Sequence, residues 1–235
     1  MKCVFPRQRQ DALDGVLVNT AGGITGGDRF SVTAEIGAEA ALTLTTQAAE
    51  RAYRAQPGEP GRLDSKVRIA EGGCLHWLPQ ETILFEGADF RRRLAVEMAG
   101  AGRLVLAEPL VIGRAAMGEV VRDAAFHDSI EIRRDGRLIL ADKTMFSGDI
   151  QAQLDRSFVA DGARAMALVV GIGPDMEGKL GAVRKMLPGT AGASLIGEDI
   201  LVARCLAWDG YAMRQTLVPV LETLCGAELP RCWML

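Results

Sequence analysis

The sequence predicts a mainly β chain, with stacked, β-helix-like antiparallel or mixed sheets and two helices in its C-terminal third. Three observations carry this prediction. Apolar and polar residues alternate, the period of a half-buried strand, in three successive outlines that share a glycine turn. The dipeptide Asp135-Gly136 separates two further alternating runs. Helical spacing of apolar residues begins only near Glu177.

The first outline is Phe30, Val32, Ala34 and Ile36, a turn around Gly37, then Ala40, Leu42 and Leu44. It returns as Val67, Ile69, Gly72-Gly73, Leu75 and Trp77, and again as Leu94, Val96, Met98, Gly100-Ala101-Gly102, Leu104 and Leu106. Leu42, Leu75 and Leu104 are therefore 33 and 29 residues apart, a spacing that suits stacked β units. Ile130 to Arg134 and Arg137 to Leu140 flank Asp135-Gly136, which suits a type I′ hairpin turn with positive φ at both positions. Further strands are expected at Phe158, Val169-Val170 and Ile200 to Leu206. In Glu177 to Leu187 one helical face carries Leu180, Val183 and Leu187, and Pro188-Gly189 stops it. Tyr211 to Leu224 spaces Met213, Leu217, Val220, Leu221 and Leu224 as a helix, which Pro219 should kink. No linker or low-complexity tract interrupts the chain, so residues 1–235 read as one domain.

Composition narrows the function classes. Against 30 Asp+Glu the 235 residues carry 27 Lys+Arg, a net charge of −3, which disfavours nucleic acid as a partner because phosphate neutralisation needs a basic face. Hydrophobic residues make up 49% and charged ones 24%, a globular balance. Met1 to Gln10 lacks the apolar run of a signal peptide, and no stretch is long and apolar enough for a membrane span, so a cytoplasmic protein without a membrane partner is expected. Cys3, Cys74, Cys205, Cys225 and Cys232 are odd in number and irregular in spacing, as reduced thiols are.

Few motifs carry chemistry. Gly22-Gly23-Ile24-Thr25-Gly26-Gly27 could cradle phosphate with its backbone N–H groups, but Asp28-Arg29 stands where a Walker loop needs Lys and Ser or Thr. Read structurally, the cluster is a pair of tight turns closed by Asp28. Gly171-Ile172-Gly173 before a helix imitates a dinucleotide turn, but Met176 replaces the third glycine. Cys74 and His76 alternate onto one strand face and could share an ion, though zinc wants four ligands. Two histidines 51 residues apart, with neither HExxH nor GxSxG, leave hydrolase chemistry little footing. In Arg91-Arg92-Arg93, Arg92 points opposite to its neighbours, which suits a solvated sheet edge or a partner contact.

Several blocks stand out in order along the chain. They are Leu17 to Asp28, containing Thr20, Gly22, Gly23, Gly26 and Gly27; Leu44 to Ala49, containing Thr45, Thr46 and Gln47; and Tyr53-Arg54. Leu78-Pro79-Gln80-Glu81-Thr82, Glu108, Gly113-Arg114-Ala115-Ala116-Met117-Gly118-Glu119 and Leu229 to Trp233 follow, and together these blocks resemble the urease accessory protein D family, also called H. Arg51 stands where the family commonly has Lys, and family members usually carry an extra N-terminal segment, so the resemblance implies a shortened N-terminus. It also implies a non-catalytic scaffold of helically wound strands, which binds urease apoprotein and accessory protein F, and through F the GTPase accessory protein G. No cofactor is expected to bind tightly, and nickel would only be in transit. A polar lining of Gln47, Gln80 and Glu108, joined by Asp28, Glu81 and Glu119, could pass nickel weakly, since scattered carboxylates and amides hold divalent ions loosely. Tyr53, Arg54, Tyr211 and Trp233 are the candidate partner anchors. Two other functions compete with the scaffold: a stand-alone nickel carrier using Cys74 and His76, and a nucleotide-dependent enzyme using Gly171 to Gly178.

Overall fold

A computed structural model describes residues 1–7, 12–114 and 117–234. Ala115 and Ala116 of the Gly113 to Glu119 block, and Gln8 to Gln10 of the N-terminal stretch, lie outside the described residues. The chain winds repeatedly between two facing sheets. Strands β1 (Lys2–Val4), β2 (Leu13–Val18), β4 (Ala41–Thr46), β7 (Cys74–Leu78) and β10 (Arg103–Ile112) belong to the first sheet, with short β5 (Glu50–Ala52) and β8 (Thr82–Leu84) beside them. Strands β3 (Arg29–Ile36), β6 (Gly61–Ile69), β9 (Asp89–Met98) and β11 (Ala124–Arg134) belong to the second. Within each set the wound strands run parallel, from β2 to β10 and from β3 to β11.

The spaced leucines are the visible part of this winding. Leu42 pairs with Leu75, and Leu75 with Leu104, in direct parallel register. Across the core Ala34, Val67, Val96 and Ile132 stack in the same way. A helical coil returns each side chain to the same place one turn later, so a repeated apolar pattern becomes a ladder of like residues. Between the sheets those ladders form one core, with Leu75, Leu104, Leu106, Val96 and Ile132 all buried.

At one corner the ladder slips. Leu42 and Leu75 are 33 apart, whereas Ala52 pairs with Leu84, 32 on. Leu75 and Leu104 are 29 apart, whereas Leu84 pairs with Ile112, 28 on. Each coil is thus one residue shorter through the corner than the coil before, and a one-residue slip turns side chains to the other face. The expected lining of Gln47, Gln80 and Glu108 does not form, because Gln80 lies five residues after the inward Leu75 and Glu108 four after the inward Leu104, which puts them on opposite faces of alternating strands. Gln47 is exposed, Gln80 points outward, and Glu108 points between the sheets.

After β11 the winding stops. Asp135 and Gly136 have φ of 50° and 75°, the positive values the hairpin requires, and β12 (Arg137–Gly148) returns antiparallel. Then follow α1 (Ile150–Leu154), β13 (Ala165–Ile172), α2 (Met176–Met186), β14 (Ala191–Ile196), β15 (Ile200–Ala207) and α3 (Gly210–Cys225). Strand β13 lies antiparallel to both β10 and β15, so the turn at Gly171 to Gly173 has no parallel βαβ unit around it. One expectation needs correcting. Phe158 sits in the loop after α1 at 85% exposure rather than in a strand. Helix α3 runs on through Pro219, and its apolar face (Met213, Leu217, Val220, Leu221) is buried along the first sheet, so tertiary packing outweighs the lost backbone bond. Strand β10 serves both layers: Leu104 and Leu106 face the inner core, Val105 and Ala107 the helices.

Candidate functional site

The motif blocks, distant in sequence, meet at the slipping corner. Each is one layer of a continuous ledge: Gln47 N donates to Leu17 O at 2.8 Å, Gln80 N to Thr46 Oγ1 at 2.9 Å, and Gln80 Nε2 to Thr46 O at 3.0 Å. Glu50 N reaches Glu81 O at 2.8 Å, and Gly113 N reaches Leu84 O at 2.8 Å. Asn19 Nδ2 spans two layers, to Gly23 O at 2.9 Å and Glu50 Oε1 at 3.0 Å.

Tight turns hold the glycine cluster. Gly22 has φ of 79° and Gly27 of 83°, and Asp28 Oδ2 accepts from Thr25 N at 2.9 Å, closing the turn as a structural aspartate does. Gly23 and Gly26 are close-packed instead. A Cβ on Gly23 would lie 2.2 Å from the Tyr53 ring, and one on Gly26 would lie 2.6 Å from Glu59 O. Thr20 is exposed at the tip.

On the outer side of the ledge, Arg214 of α3 gathers the C-terminus. Its guanidinium donates to Glu81 at 2.6 and 2.9 Å, to Trp233 O at 3.0 Å, and to Gln80 Oε1. Trp233, on a short 3₁₀ turn (Arg231–Met234), donates its indole N–H to Thr45 Oγ1 at 3.2 Å and Leu78 O at 3.1 Å. It is 2% exposed, which corrects its assignment as a surface anchor: an indole with both faces packed and its N–H bonded contributes more to this clasp than to solvent-facing contact. Pro79 lies half-buried between the two sides.

On the inner side stands a buried charge cluster that sequence reasoning missed. Arg92 Nε and Nη2 donate to Asp128 at 3.1 and 2.6 Å, and its Nη1 reaches Thr82 Oγ1 at 3.2 Å while contacting Glu108. Trp77 Nε1 donates to Glu108 Oε1 at 2.8 Å. Strand β9 is interior, not an edge, so the arginine triplet sends Arg91 and Arg93 to solvent and Arg92 into the core. Arg92 and Asp128 are direct partners in the β9–β11 register, a juxtaposition visible only once the 36-residue coil is known. The cluster floors a cleft of about 470 Å³ whose mouth is lined by Asp142, Arg204 and Gly192.

The three carboxylates of the expected nickel path occupy separate places. Asp28 closes its turn and Glu81 holds Arg214; Glu119 accepts from Arg114 N at 3.0 Å and Arg114 Nε at 2.8 Å. The hydrogen bond from Arg114 keeps Glu119 below its ordinary pKa. Gly118 adjoins it with φ of 68°. Cys74 Sγ and His76 Nε2 are 3.7 Å apart, Thr43 Oγ1 lies 3.4 Å from His76 Nδ1, and burial lowers the imidazole to about 4. Among the described residues no three His, Cys, Asp or Glu side chains converge to hold a metal. Of the partner anchors, Tyr53 packs edge-on to Phe85 with centroids 5.0 Å apart, Arg54 is exposed, and Tyr211 is 73% exposed in the first turn of α3. Among the described residues no helix is long and apolar enough to cross a membrane.

Comparison with known proteins agrees with the blocks. Residues 1–234 match the family model described as UreD urease accessory protein. The urease accessory protein UreD of Ruegeria pomeroyi is 52% identical over 232 residues, covering 99% of this chain and 90% of that protein. Those of Roseobacter denitrificans and Methylobacterium sp. are 45% and 42% identical, covering 100% and 97% of this chain and 86% and 83% of theirs. By this match along essentially its whole length, the chain belongs to the UreD urease accessory protein family.

Proposed function

We propose that this chain is a non-catalytic scaffold in urease maturation, acting in the cytoplasm on urease apoprotein so that nickel enters its active site. The observation that carries this reading is the ledge: the blocks by which the sequence resembles the family come from separate coils and form one continuous hydrogen-bonded surface rather than a pocket of convergent catalytic groups. Accessory protein F docks on the scaffold, and the GTPase accessory protein G joins through F, supplying the nucleotide hydrolysis for which Asp28 replaces the needed lysine here. Nickel is cargo. It passes by Asp28, Glu81 and Glu119, each of which would exchange its present partner for the ion in transit. Co-expression with a urease operon lacking its own D gene tests the scaffold. Nickel-loaded, active urease is expected; apo-urease equal to the empty-vector control would refute the role. Replacing Asp28 and Glu81 with Ala should lower nickel content without abolishing co-purification with urease, and unchanged nickel content would remove the path.

The 3.7 Å separation of Cys74 Sγ and His76 Nε2 favours a second reading, that of a stand-alone nickel carrier. Equilibrium dialysis separates the two: stoichiometric nickel binding lost in Cys74→Ser supports the carrier, and its absence supports the scaffold.

A further inference from the structure

The inner charge cluster does not balance. One guanidinium, Arg92, faces two carboxylates, Asp128 and Glu108, and all three side chains are less than a tenth exposed. Asp128 receives two well-formed bonds from Arg92. Glu108 is served less well: its Oε1 accepts from Trp77, while its Oε2 touches Arg92 without an aligned hydrogen bond. A surplus buried charge is costly, and the group that bears it relieves the cost by taking a proton.

The surroundings reinforce this. Burial, with the charge of Asp128, pushes Glu108 up to about 7 against the pull of Arg92. Arg92 stays charged because the two carboxylates outweigh its desolvation. From the cleft, β12 contributes Asp142 and β15 contributes Arg204, which pair with each other, and Cys205, whose thiol burial raises to about 11. Strands β7, β8 and β13 present Trp77, Thr82 and the apolar Met166, Ala167 and Leu168, none of which titrates near neutrality, and on the other side Met1 and Glu50 of β5, whose carboxyl burial also raises, line a small cavity shared with Arg92 and Glu108.

We propose that Arg92, Asp128, Glu108 and Trp77 form a proton-operated latch between the two sheets, closed while Glu108 carries a proton and loosened when that proton leaves. Arg92 and Asp128 belong to the second sheet, Glu108 and Trp77 to the first, so the latch spans the core. With Glu108 neutral the cluster carries no net charge; with it ionised one negative charge is unmatched. The sign follows. A carboxyl whose folded value lies above its unfolded one contributes stability that is complete below the unfolded value, about 4.3 for glutamate, and is lost as pH rises through the folded one.

The indole N–H of Trp77 reports the state of Glu108 directly. In the ¹⁵N-labelled full-length chain, with Trp77 assigned through Trp77→Phe, its resonance should move sigmoidally with a midpoint near pH 7. The movement should vanish in Glu108→Gln. In Asp128→Asn, where Arg92 is left to Glu108 alone, the midpoint should fall by about one unit or more. A Trp77 resonance that stays flat from about pH 6 to 8, or that still titrates in Glu108→Gln, overturns the latch. Urea unfolding gives a second reading should Asp128→Asn not fold. The wild type should lose stability between about pH 6 and 8 while Glu108→Gln does not; an equal effect of the substitution at both pH values means Glu108 is only a hydrogen-bond acceptor.

Discussion

Gly26 and Gly181 show how one residue type acts in opposite ways according to its neighbours. A methyl group on Gly26 would press on backbone at Glu59 and Gln56, at 2.6 and 2.8 Å, atoms that cannot move without opening the turn. Gly26→Ala should therefore cost about 1–3 kcal/mol, measured by urea unfolding. Gly181 lies on the exposed side of α2 with nothing near its missing Cβ, so Gly181→Ala should stabilise by about 0.5–1 kcal/mol in the same assay. Asp28 was legible from the sequence because its hydrogen bond is local, three residues from Thr25. Arg92 was legible only as a residue facing away from Arg91 and Arg93. What it faces depends on a partner strand 36 residues away.

At the scale of elements, the last helix and the C-terminal turn behave as one unit. Arg214 lies 5.5 Å over the Trp233 ring, bonds its carbonyl, and holds Glu81 in the corner between β7 and β8. Trp233→Ala should lose about 3–5 kcal/mol of stability, as expected for emptying a buried indole site. Arg214→Ala leaves Glu81 buried without its cation, so it should lose more than Glu81→Gln/Arg214→Ala together, a non-additivity that a double-mutant cycle in urea reads. Both helices of the C-terminal third were predictable, since each repeats apolar residues at helical spacing over three turns or more. Short α1 and edge strand β14 were not: five residues give too little periodicity, and Ala191-Gly192-Ala193-Ser194 carries almost no hydropathy contrast.

Seen whole, the molecule presents exposed aromatic side chains around the end of β15 and the start of α3, with Trp208 at 69% and Tyr211 at 73% exposure. Exposed aromatics of this size are the usual anchors of protein contacts. Replacing Tyr211 and Trp208 with Ser should leave the thermal midpoint within about 2 °C of the parent yet reduce co-purification with urease or accessory protein F. Full co-purification would place the docking surface elsewhere. The sequence by itself determined the coil, because period-2 strands, glycine corners and leucines at 33- and 29-residue intervals are local or repeating patterns that survive in one dimension. It also determined the family, through blocks that recur in order. Only the tertiary structure decided what each corner residue meets. Gln80, turned outward, finds Arg214 of α3, and Glu108, turned inward, finds Arg92 of β9, and partners so far off in sequence exist only when helix and coils are laid side by side.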